Sequence, residues 1–496
     1  MMRPLSSLAT AALLAGSIVG VAHTGAGGLD AVRLENARIG TPDWQGVDDR
    51  ARAVEVYASA TDALPGDDVP VHVSTAPSAR YRVLVYRLGW YGGFGARLVA
   101  CLPACNGAGL GAQEPIGTPD ATGYVNAQWP VTDTLHVGDD WVSGYYLIRV
   151  LVLSGPAAGR SATTYFVVRR FRSRSAILVQ VPVNTWEAYN GWGGKTLYPF
   201  SSTDSRQAIR VSFDRPFAWF LPGGQGPLSW ELPLVGFLER EGYDVSYQSD
   251  VWTSMHPGSL LHHRLDVVSG HDEYWTKPMR DAWGAARNAG VNLAFMGANA
   301  AYWQVRLQDA GRTIFTYKSM YDPEPNTALK TAMFRELVPP QLECDLIGIQ
   351  HQGAVLNWPP GDYTVQPGAF QTGWARNTGL RPGAVLPGIV SVESDTIPGD
   401  QSAASSCGNA LTVLFHREHG GDKDGNADAT VYTAPSGARV FASGSHQFSW
   451  GLTDFPTDPA EGHGFADVRL ERFMTNAFDD LSGQFLPFVT SKVRVP

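Results

Sequence analysis

The chain has 496 residues, 44% of them hydrophobic and 17% charged, which is enough apolar material for about three domains, or two with insertions. Its 54 glycines and 33 prolines stay below the share typical of low-complexity chains, which excludes a mainly disordered, collagen-like or coiled-coil protein. The 38 basic and 47 acidic residues give a net charge of −9 without a long basic run, so nucleic acid is not an expected partner.

The first 26 residues are typical of a secretory signal peptide. Arg3 precedes an apolar stretch from Leu8 to Ala22, and small residues follow through Ala26. Because this stretch is shorter than the roughly 20 residues of a membrane-spanning helix, we expect cleavage, with an uncleaved anchor as the less favoured alternative. No later segment is long and apolar enough to span a bilayer, so we expect a secreted protein, extracellular or in the cell envelope.

The four cysteines fit an oxidising compartment. Cys101 and Cys105 lie close together, whereas Cys344 and Cys407 lie in a later region, which favours one local disulfide and one long-range disulfide. A zinc site built from all four is the rival hypothesis, although such sites use two pairs of short spacing and the second pair here is far apart.

Residues 27–50 are Gly-rich and then polar, which predicts a linker or an extended arm. Residues 51–170 contain short runs of β-forming residues separated by turn residues. The predicted strands cover 54–57, 69–73, 81–86, 145–153 and 163–168. This spacing predicts an immunoglobulin-like β-sandwich.

Residues 171–490 alternate strands with helices, which predicts a doubly wound α/β domain with a parallel sheet and right-handed βαβ units. The best delimited helix covers 278–289, because Thr276 suits its N-cap and Gly290 suits the left-handed residue after its last turn. The other predicted elements are strands over 176–183, 243–247, 265–268, 291–296 and 438–443, and helices over 228–241 and 466–480. Residues 337–430, rich in Gly, Pro and Ser, predict a β-rich insertion.

Three loops with chemically versatile side chains follow predicted strands of this sheet. They are Asn184–Tyr198, Gly270–Trp275 and Gly297–Trp303. Open parallel sheets bind ligands beyond the carboxyl ends of their strands, and these loops combine the imidazole, carboxylate and phenol groups of a hard-metal or acid–base site. Structural alternatives exist for each group: Tyr189, Tyr198, Tyr274 and Tyr302 as packing residues, Glu273 as a helix cap, and His271 as a hydrogen-bonded structural histidine.

Several separate blocks of the sequence resemble the N,N-dimethylformamidase large-subunit family, and more closely its secreted bacterial relatives. The blocks are Tyr86–Arg97, Tyr189–Tyr198, His271–Trp275, Gly297–Gln304 and Ala434–Ser445. The resemblance spans most of residues 50–490.

The characterised amidases of that family hydrolyse a small N,N-dialkyl amide with a mononuclear ferric ion held by two tyrosines and one glutamate. The resemblance therefore implies Glu273, in the block His271-Asp272-Glu273-Tyr274, as a ligand of Fe(III). It implies Tyr189 as the first phenolate ligand and Tyr198 as the second, after a shorter spacer than the family enzymes have. His271 and Glu273 are the implied catalytic residues.

This ligand set is chemically coherent. Phenolate and carboxylate oxygens suit a hard ion such as Fe(III), which would polarise an amide carbonyl and lower the pKa of a bound water. One departure concerns Thr433, which stands where the resemblance implies a further catalytic glutamate. Amide hydrolysis then requires Glu187, Asp272 or another acid in that role.

The resemblance has two further implications. The amidases work with a separate small subunit, so a small subunit or a homo-oligomer is an expected partner. The α/β region also resembles the class I glutamine amidotransferase-like fold, whose glutamine-hydrolysing members use a cysteine at a sharp strand-to-helix turn. The turn after Met296 is Gly297-Ala298-Asn299-Ala300 and has no thiol, which excludes that chemistry.

Two smaller motifs are only weak indications of function. Asp422, Asp424, Asn426 and Asp428 alternate as in a calcium loop, but the pattern is not that of an EF-hand, so a solvated turn is favoured over calcium. The segment Ser443–His446 brings hydroxyls near an imidazole without a nucleophile elbow, which argues against a serine hydrolase.

Two classes of function follow. The favoured one is a secreted metal-dependent hydrolase of a linear amide or related C–N bond, with Tyr189, Tyr198 and Glu273 as ligands and His271 assisting. The alternative is a non-catalytic extracellular or cell-envelope binding protein that keeps the fold without the chemistry. A glycan-binding role stays open because 15 tryptophans offer stacking surfaces, although large aromatics more often serve packing.

Overall fold

The computed structural model describes most of the chain after its first 27 residues. The described ranges are 28–46, 51–218, 228–355, 360–398, 407–418, 425–454 and 465–485. The predicted signal peptide lies outside them, as do Asp422 and Asp424 of the candidate calcium loop.

Alternating apolar residues between turns build the first half of the molecule from strands. They are β1 (Val54–Ala58), β2 (Asp62–Ala63), β3 (Asp68–Thr75), β4 (Arg80–Leu88), β5 (Ala96–Leu102), β6 (Gly109–Leu110), β7 (Asp133–His136), β8 (Gly144–Val152) and β9 (Ser161–Val168). One sheet has the order β1-β3-β7, and a second has the order β2-β9-β8-β4-β5, with β6 beside β4. Inward-facing residues such as Val71, Val83 and Ile148 form one buried cluster, so each of the five predicted strands is present.

The segment expected to be a linker contains a helix, α1 (Gly28–Asn36). Its last turn packs on both halves of the protein: Glu35 accepts hydrogen bonds from Tyr91 and Arg97 at 2.7 Å, and Asn36 donates to Glu239 at 2.7 Å. The composition of the segment does not predict this helix, because long-range polar contacts stabilise it rather than a strong intrinsic helix propensity.

The second half contains a nine-stranded sheet of order β12-β10-β13-β15-β24-β23-β22-β19-β20. Its parallel half comprises β10 (Ile177–Val181), β12 (Val245–Ser249), β13 (Leu265–Ser269), β15 (Asn292–Met296) and β24 (Arg439–Ala442). The helices of this half are α2 (Val183–Tyr189), α3 (Leu232–Glu241), α4 (Asp250–Met255), α5 (Lys277–Asn288), α6 (Glu343–Ile347) and α7 (Val468–Ser482). Thr276 caps α5 and Gly290 follows it with φ near +92°, as the sequence predicts.

The predicted β-rich insertion does not stand apart from this sheet. Four of its strands continue the sheet in antiparallel fashion: β19 (Gly361–Val365), β20 (Val385–Val390), β22 (Thr412–Arg417) and β23 (Ala427–Thr433). Two others, β18 (Gln350–Val355) and β21 (Val392–Thr396), pair with each other as a ribbon. The remaining strands form a small sheet of order β11-β17-β16-β14, from β11 (Arg210–Ser212), β14 (Tyr274–Thr276), β16 (Trp303–Gln308) and β17 (Thr313–Phe315).

Covalent and ionic links tie these parts together. Cys101 pairs with Cys105 and Cys344 with Cys407, as predicted, so none of the described cysteines is free. Arg87 of β4 forms a fully buried ion pair of 2.8 Å with Glu239 of α3, which joins the two halves. Within the described part of the chain, no helix is long and apolar enough to cross a membrane.

Candidate metal centre

Tyr189, Tyr198 and Glu273 meet beyond the carboxyl ends of the parallel strands. The Tyr189 hydroxyl lies 2.8 Å from the Tyr198 hydroxyl and 2.9 Å from Glu273 Oε2. The Tyr198 hydroxyl lies 2.8 Å from both carboxylate oxygens of Glu273. Three hard oxygen donors from two of the predicted loops therefore form one contact set, here called the phenol cluster.

Backbone contacts fix the position of Glu273 in this cluster. Its amide donates to Thr185 Oγ1 of α2 at 2.9 Å, and its carbonyl accepts from the amides of Tyr302 and Trp303 at 3.0 and 2.9 Å. The neighbouring loop requires Gly297, because a Cβ there would lie 1.9 Å from the carbonyl oxygen of Gly270. The three loops are thus held together by backbone hydrogen bonds and by one close backbone approach.

The phenols are buried beside a carboxylate. Burial, and then the charge of Glu273, raises the pKa of both Tyr189 and Tyr198 well above the usual value. Without a cation the two hydroxyls are therefore neutral donors that solvate Glu273. A metal ion would reverse this preference, since a bound cation favours the ionised forms of its ligands.

A second group of titratable side chains, here called the imidazole cluster, adjoins the first. It consists of His271, Glu393 of β21 and His446. His271 Nε2 lies 3.4 Å from Glu273 Oε2 and 3.3 Å from Glu393 Oε2. His446 Nε2 lies 3.4 Å from the same Glu393 oxygen and 3.1 Å from the carbonyl oxygen of Ala298.

The two imidazoles of this cluster differ in their preferred charge. Burial lowers the pKa of His271, but the carboxylates of Glu393 and Glu273 outweigh it, so the net shift is upward. Burial and the nearby His271 push the pKa of His446 well below its usual value. The pKa of Glu393 is lowered, since its imidazole neighbours, His271 foremost, outweigh the effect of burial. The cluster thus pairs one carboxylate with one imidazole that readily takes a proton and one that stays neutral.

Asn299 links the ribbon to the sheet. Its backbone amide donates to Asp395 Oδ1 at 2.8 Å, and its side-chain amide donates to Glu393 Oε2 at 2.8 Å. Asn299 has φ near +51° and Val392, the residue before Glu393, has φ near +67°. Positive φ is costly for a β-branched residue and persists where the surrounding structure enforces it, which is typical of functional sites.

Lys318 lies against the phenol cluster. Its ammonium group is 3.4 Å from the centroid of the Tyr198 ring and donates to the Tyr274 hydroxyl at 2.8 Å. Burial lowers the pKa of Lys318 to about 8, although Glu273 and Glu393 oppose that effect. The sequence gives no motif for this lysine, and only the fold brings it to the site.

A cavity of about 340 Å³ opens onto both clusters. Its lining residues are Tyr189, Tyr198, Phe200, Trp230, His271, Glu273, Asn299, Tyr302, Trp303, His351, Val392, Glu393 and His446. The third predicted loop therefore contributes Asn299, Tyr302 and Trp303 to the wall. His351 and Glu393 come from the ribbon, which sequence reasoning treated as part of an insertion.

The acids proposed to replace the missing family glutamate lie elsewhere. Glu187 is buried in an ion pair with Arg215, and Asp272 accepts a hydrogen bond from Gln180 at 2.7 Å. Thr433 is exposed at the end of β23. The carboxylate that contacts His271 from outside its own loop is instead Glu393, which has no sequence motif around it.

The hydroxyls considered for a serine hydrolase have structural partners. Ser443 Oγ donates to the carbonyl of Gly297 at 3.0 Å, and Ser445 Oγ caps the turn that follows by accepting from Gln447. His446 contacts Ala298 and Glu393 instead. These hydroxyls are thus engaged in structural hydrogen bonds, and His446 belongs to the imidazole cluster.

The family model described as N,N-dimethylformamidase beta subunit-like, C-terminal, matches residues 82–463 of this chain. A comparison with curated proteins gave no match. Domain 1 of VCBP3 from Branchiostoma floridae is 13% identical, with 23% of this chain and 93% of that chain covered and a TM-score of 0.16.

The sulfur carrier protein SoxY from Chlorobium limicola f thiosulfatophilum is 15% identical, with 28% of this chain and 91% of that chain covered and a TM-score of 0.13. Superpositions this poor carry no argument about fold or function. The family match is of a different kind, because it covers most of the chain and includes every residue of the two clusters.

Proposed function

The chain belongs to the N,N-dimethylformamidase beta subunit-like family, and from this premise we propose that it is a metal-dependent hydrolase of an amide or related C–N bond. The observation that carries the proposal is the convergence of Tyr189, Tyr198 and Glu273, whose oxygens lie 2.8–2.9 Å from one another. Such a cluster is unusual for simple packing, because it holds a carboxylate between two phenol hydroxyls at 2.8–2.9 Å, closer than its basic neighbour His271 at 3.4 Å.

The donor set fits a hard cation. Two phenols and one carboxylate offer only oxygen, which suits ferric iron better than softer ions that prefer thiolates. Tyr189, Tyr198 and Glu273 would hold the ion. When bound, it would polarise the substrate carbonyl and make water more acidic.

The imidazole cluster supplies the proton chemistry of this proposal. His271 adjoins Glu273 and would take a proton from the attacking water and return it to the departing amine. Glu393 holds the protonated imidazole from the other side at 3.3 Å, and Asn299 fixes the carboxylate of Glu393 by a 2.8 Å hydrogen bond. In this mechanism, Glu393 thus takes the role of the family glutamate whose position Thr433 occupies here.

Metal content and visible absorption test this proposal. We expect stoichiometric iron in the mature protein purified without chelators, with a phenolate-to-iron charge-transfer band that weakens in Tyr189→Phe. Tyr302→Phe is the matched control: Tyr302 lines the cavity, its bond to Glu273 comes from the backbone amide and is kept in the variant, and the band should stay unchanged. Absence of metal and band after ferrous loading and oxidation would falsify the proposal.

Three finer expectations accompany this function. Two disulfides support an extracytoplasmic location, which N-terminal sequencing of the mature protein tests. The beta-subunit name of the family supports assembly with a second, smaller subunit or with further copies of the chain, which native mass measurement tests. An immunoglobulin-like first half and a glutamine amidotransferase-like second half remain the proposed fold families.

A further inference from the structure

The cavity is larger than the smallest amides require. At about 30 Å³ for each liquid water, its 340 Å³ corresponds to roughly eleven waters. Pockets that enclose drug-sized ligands begin at about 300 Å³. Dimethylformamide has only five non-hydrogen atoms and would leave more than half of this space unfilled.

Part of the cavity wall is aromatic. Phe200 is 60% exposed although it lines the cavity, and its ring centroid lies 5.1 Å from that of Tyr198. The rings of Tyr302 and Trp303 are half-buried and stand at 89° to each other with centroids 5.2 Å apart. Such partly exposed ring faces and edges favour a planar aromatic guest.

Acidic and basic groups alternate in the wall. Glu273 and Glu393 both lie within 3.4 Å of His271, and the lining residue His351 lies 3.7 Å from Asp395. The wall therefore has no patch of a single sign that would attract an ionised substrate. The cavity favours a neutral ligand.

We infer that the substrate of this site is a neutral aryl amide of about ten to fifteen non-hydrogen atoms. This inference rests on the proposed hydrolase function and adds the substrate class to it. The amide group lies at the phenol and imidazole clusters, and the aromatic ring lies against Phe200, Tyr302 and Trp303.

A matched pair of amides separates aromatic recognition from simple apolar burial. Acetanilide and N-cyclohexylacetamide have the same number of non-hydrogen atoms, but only acetanilide carries a planar ring. Calorimetric titration of the metal-free full chain measures binding of each without hydrolysis. We expect acetanilide to bind about three- to tenfold more tightly than the cyclohexyl compound, and still more tightly than dimethylformamide. Equal affinities for all three would overturn the inference.

Phe200→Ala tests where the ring binds. Because this side chain is largely exposed, its truncation should leave the fold intact while weakening acetanilide about fivefold and dimethylformamide hardly at all. Phe171→Ala is the control, since Phe171 is 67% exposed and does not line the cavity. Equal losses for acetanilide and the cyclohexyl compound would replace aromatic recognition with general apolar contact and overturn the inference.

A measurement of amine release by the iron-loaded chain distinguishes failure of the hydrolase function from failure of the aryl preference. Tight acetanilide binding without amine release from any of the three amides would overturn the hydrolase function and leave the aryl-binding cavity. Hydrolysis of dimethylformamide together with equal affinities would overturn the aryl preference and leave the hydrolase function.

Discussion

The phenol cluster and the imidazole cluster share one cavity but are built differently. Tyr189 is the last residue of α2 and Tyr198 lies in the loop after that helix, both following β10, whereas Glu273 lies in the loop after β13. Glu393 reaches the site from a ribbon more than a hundred residues further along the chain, beside a valine held at positive φ. The first cluster offers two neutral phenols that a cation would ionise and one carboxylate, whereas the second already pairs a carboxylate with an imidazole that readily takes a proton. Under the proposed function, metal binding and proton transfer would therefore be carried by separable parts of one site.

Removal of one proposed metal ligand should have the largest effect on the phenol cluster. Under the proposed function, Glu273→Gln should weaken iron binding more than a hundredfold, because even residues that only support a ligand change metal affinity 10- to 100-fold. Iron stoichiometry after dialysis and the visible band measure this loss. Retention of full iron with an unchanged band would mean that the phenol cluster is not the metal site.

Glu393→Gln should leave metal binding intact and impair the proton chemistry. We expect kcat/KM for amide hydrolysis to fall about 10²- to 10⁴-fold, the range for a lost general acid–base function. Iron content should stay within experimental error of the unmodified protein. Loss of iron together with activity would instead place Glu393 among the ligands and abolish the division between the clusters.

Asp266 is a buried carboxylate that, unlike Glu393, has no hydrogen-bond partner among the described residues. Asp266 of β13 is fully buried, and neither of its side-chain oxygens has a hydrogen-bond partner among the described residues. Burial raises its pKa well above the usual value, so the folded state favours the protonated carboxyl. Asp266 therefore lowers stability as pH rises above the unfolded-state pKa of about 4.

Asp266→Asn removes this titration without changing the shape of the side chain. We expect the variant to be more stable than the unmodified protein at pH 7, by about 1–3 kcal/mol, and the gain to vanish as pH falls to about 4. Thermal melting at a series of pH values measures it. A gain that is the same at pH 4 and pH 7 would show that Asp266 does not titrate on folding.

Lys318→Met should have the smallest effect. The ammonium group lies 3.4 Å above the Tyr198 ring and would stabilise its phenolate electrons, so its removal should move the charge-transfer band to longer wavelength. Iron affinity should change less than tenfold, because no ligand is lost. Lys318→Arg keeps a cation over the ring and should restore the position of the band. A band that stays in place in Lys318→Met would show that the lysine only packs.

Sequence reasoning reached the phenol cluster because its residues occur in short, distinctive blocks after predictable strands. Tyr189, Tyr198, His271 and Glu273 are all named from those blocks, and strand order then brings them together. Glu393 lies in Ser-Val-Glu-Ser-Asp, which has no diagnostic spacing, and His446 follows a serine-containing turn that suggested a different chemistry. Glu393 could be assigned only once β18 and β21 pair, and His446 only once the turn after β24 lies beside His271.

The sequence by itself determined the alternation of strands and helices, the pairing of the cysteines and the residue types of the phenol cluster, because each depends on local patterns or on a few residues. Only the tertiary structure decided that α1 packs where a linker was expected, that the insertion extends the central sheet, that Glu393 and His446 reach the cavity, and that Lys318 lies against Tyr198. These features depend on contacts between segments far apart in the chain, whose free energy comes from long-range packing and charge pairing rather than from local conformational preference.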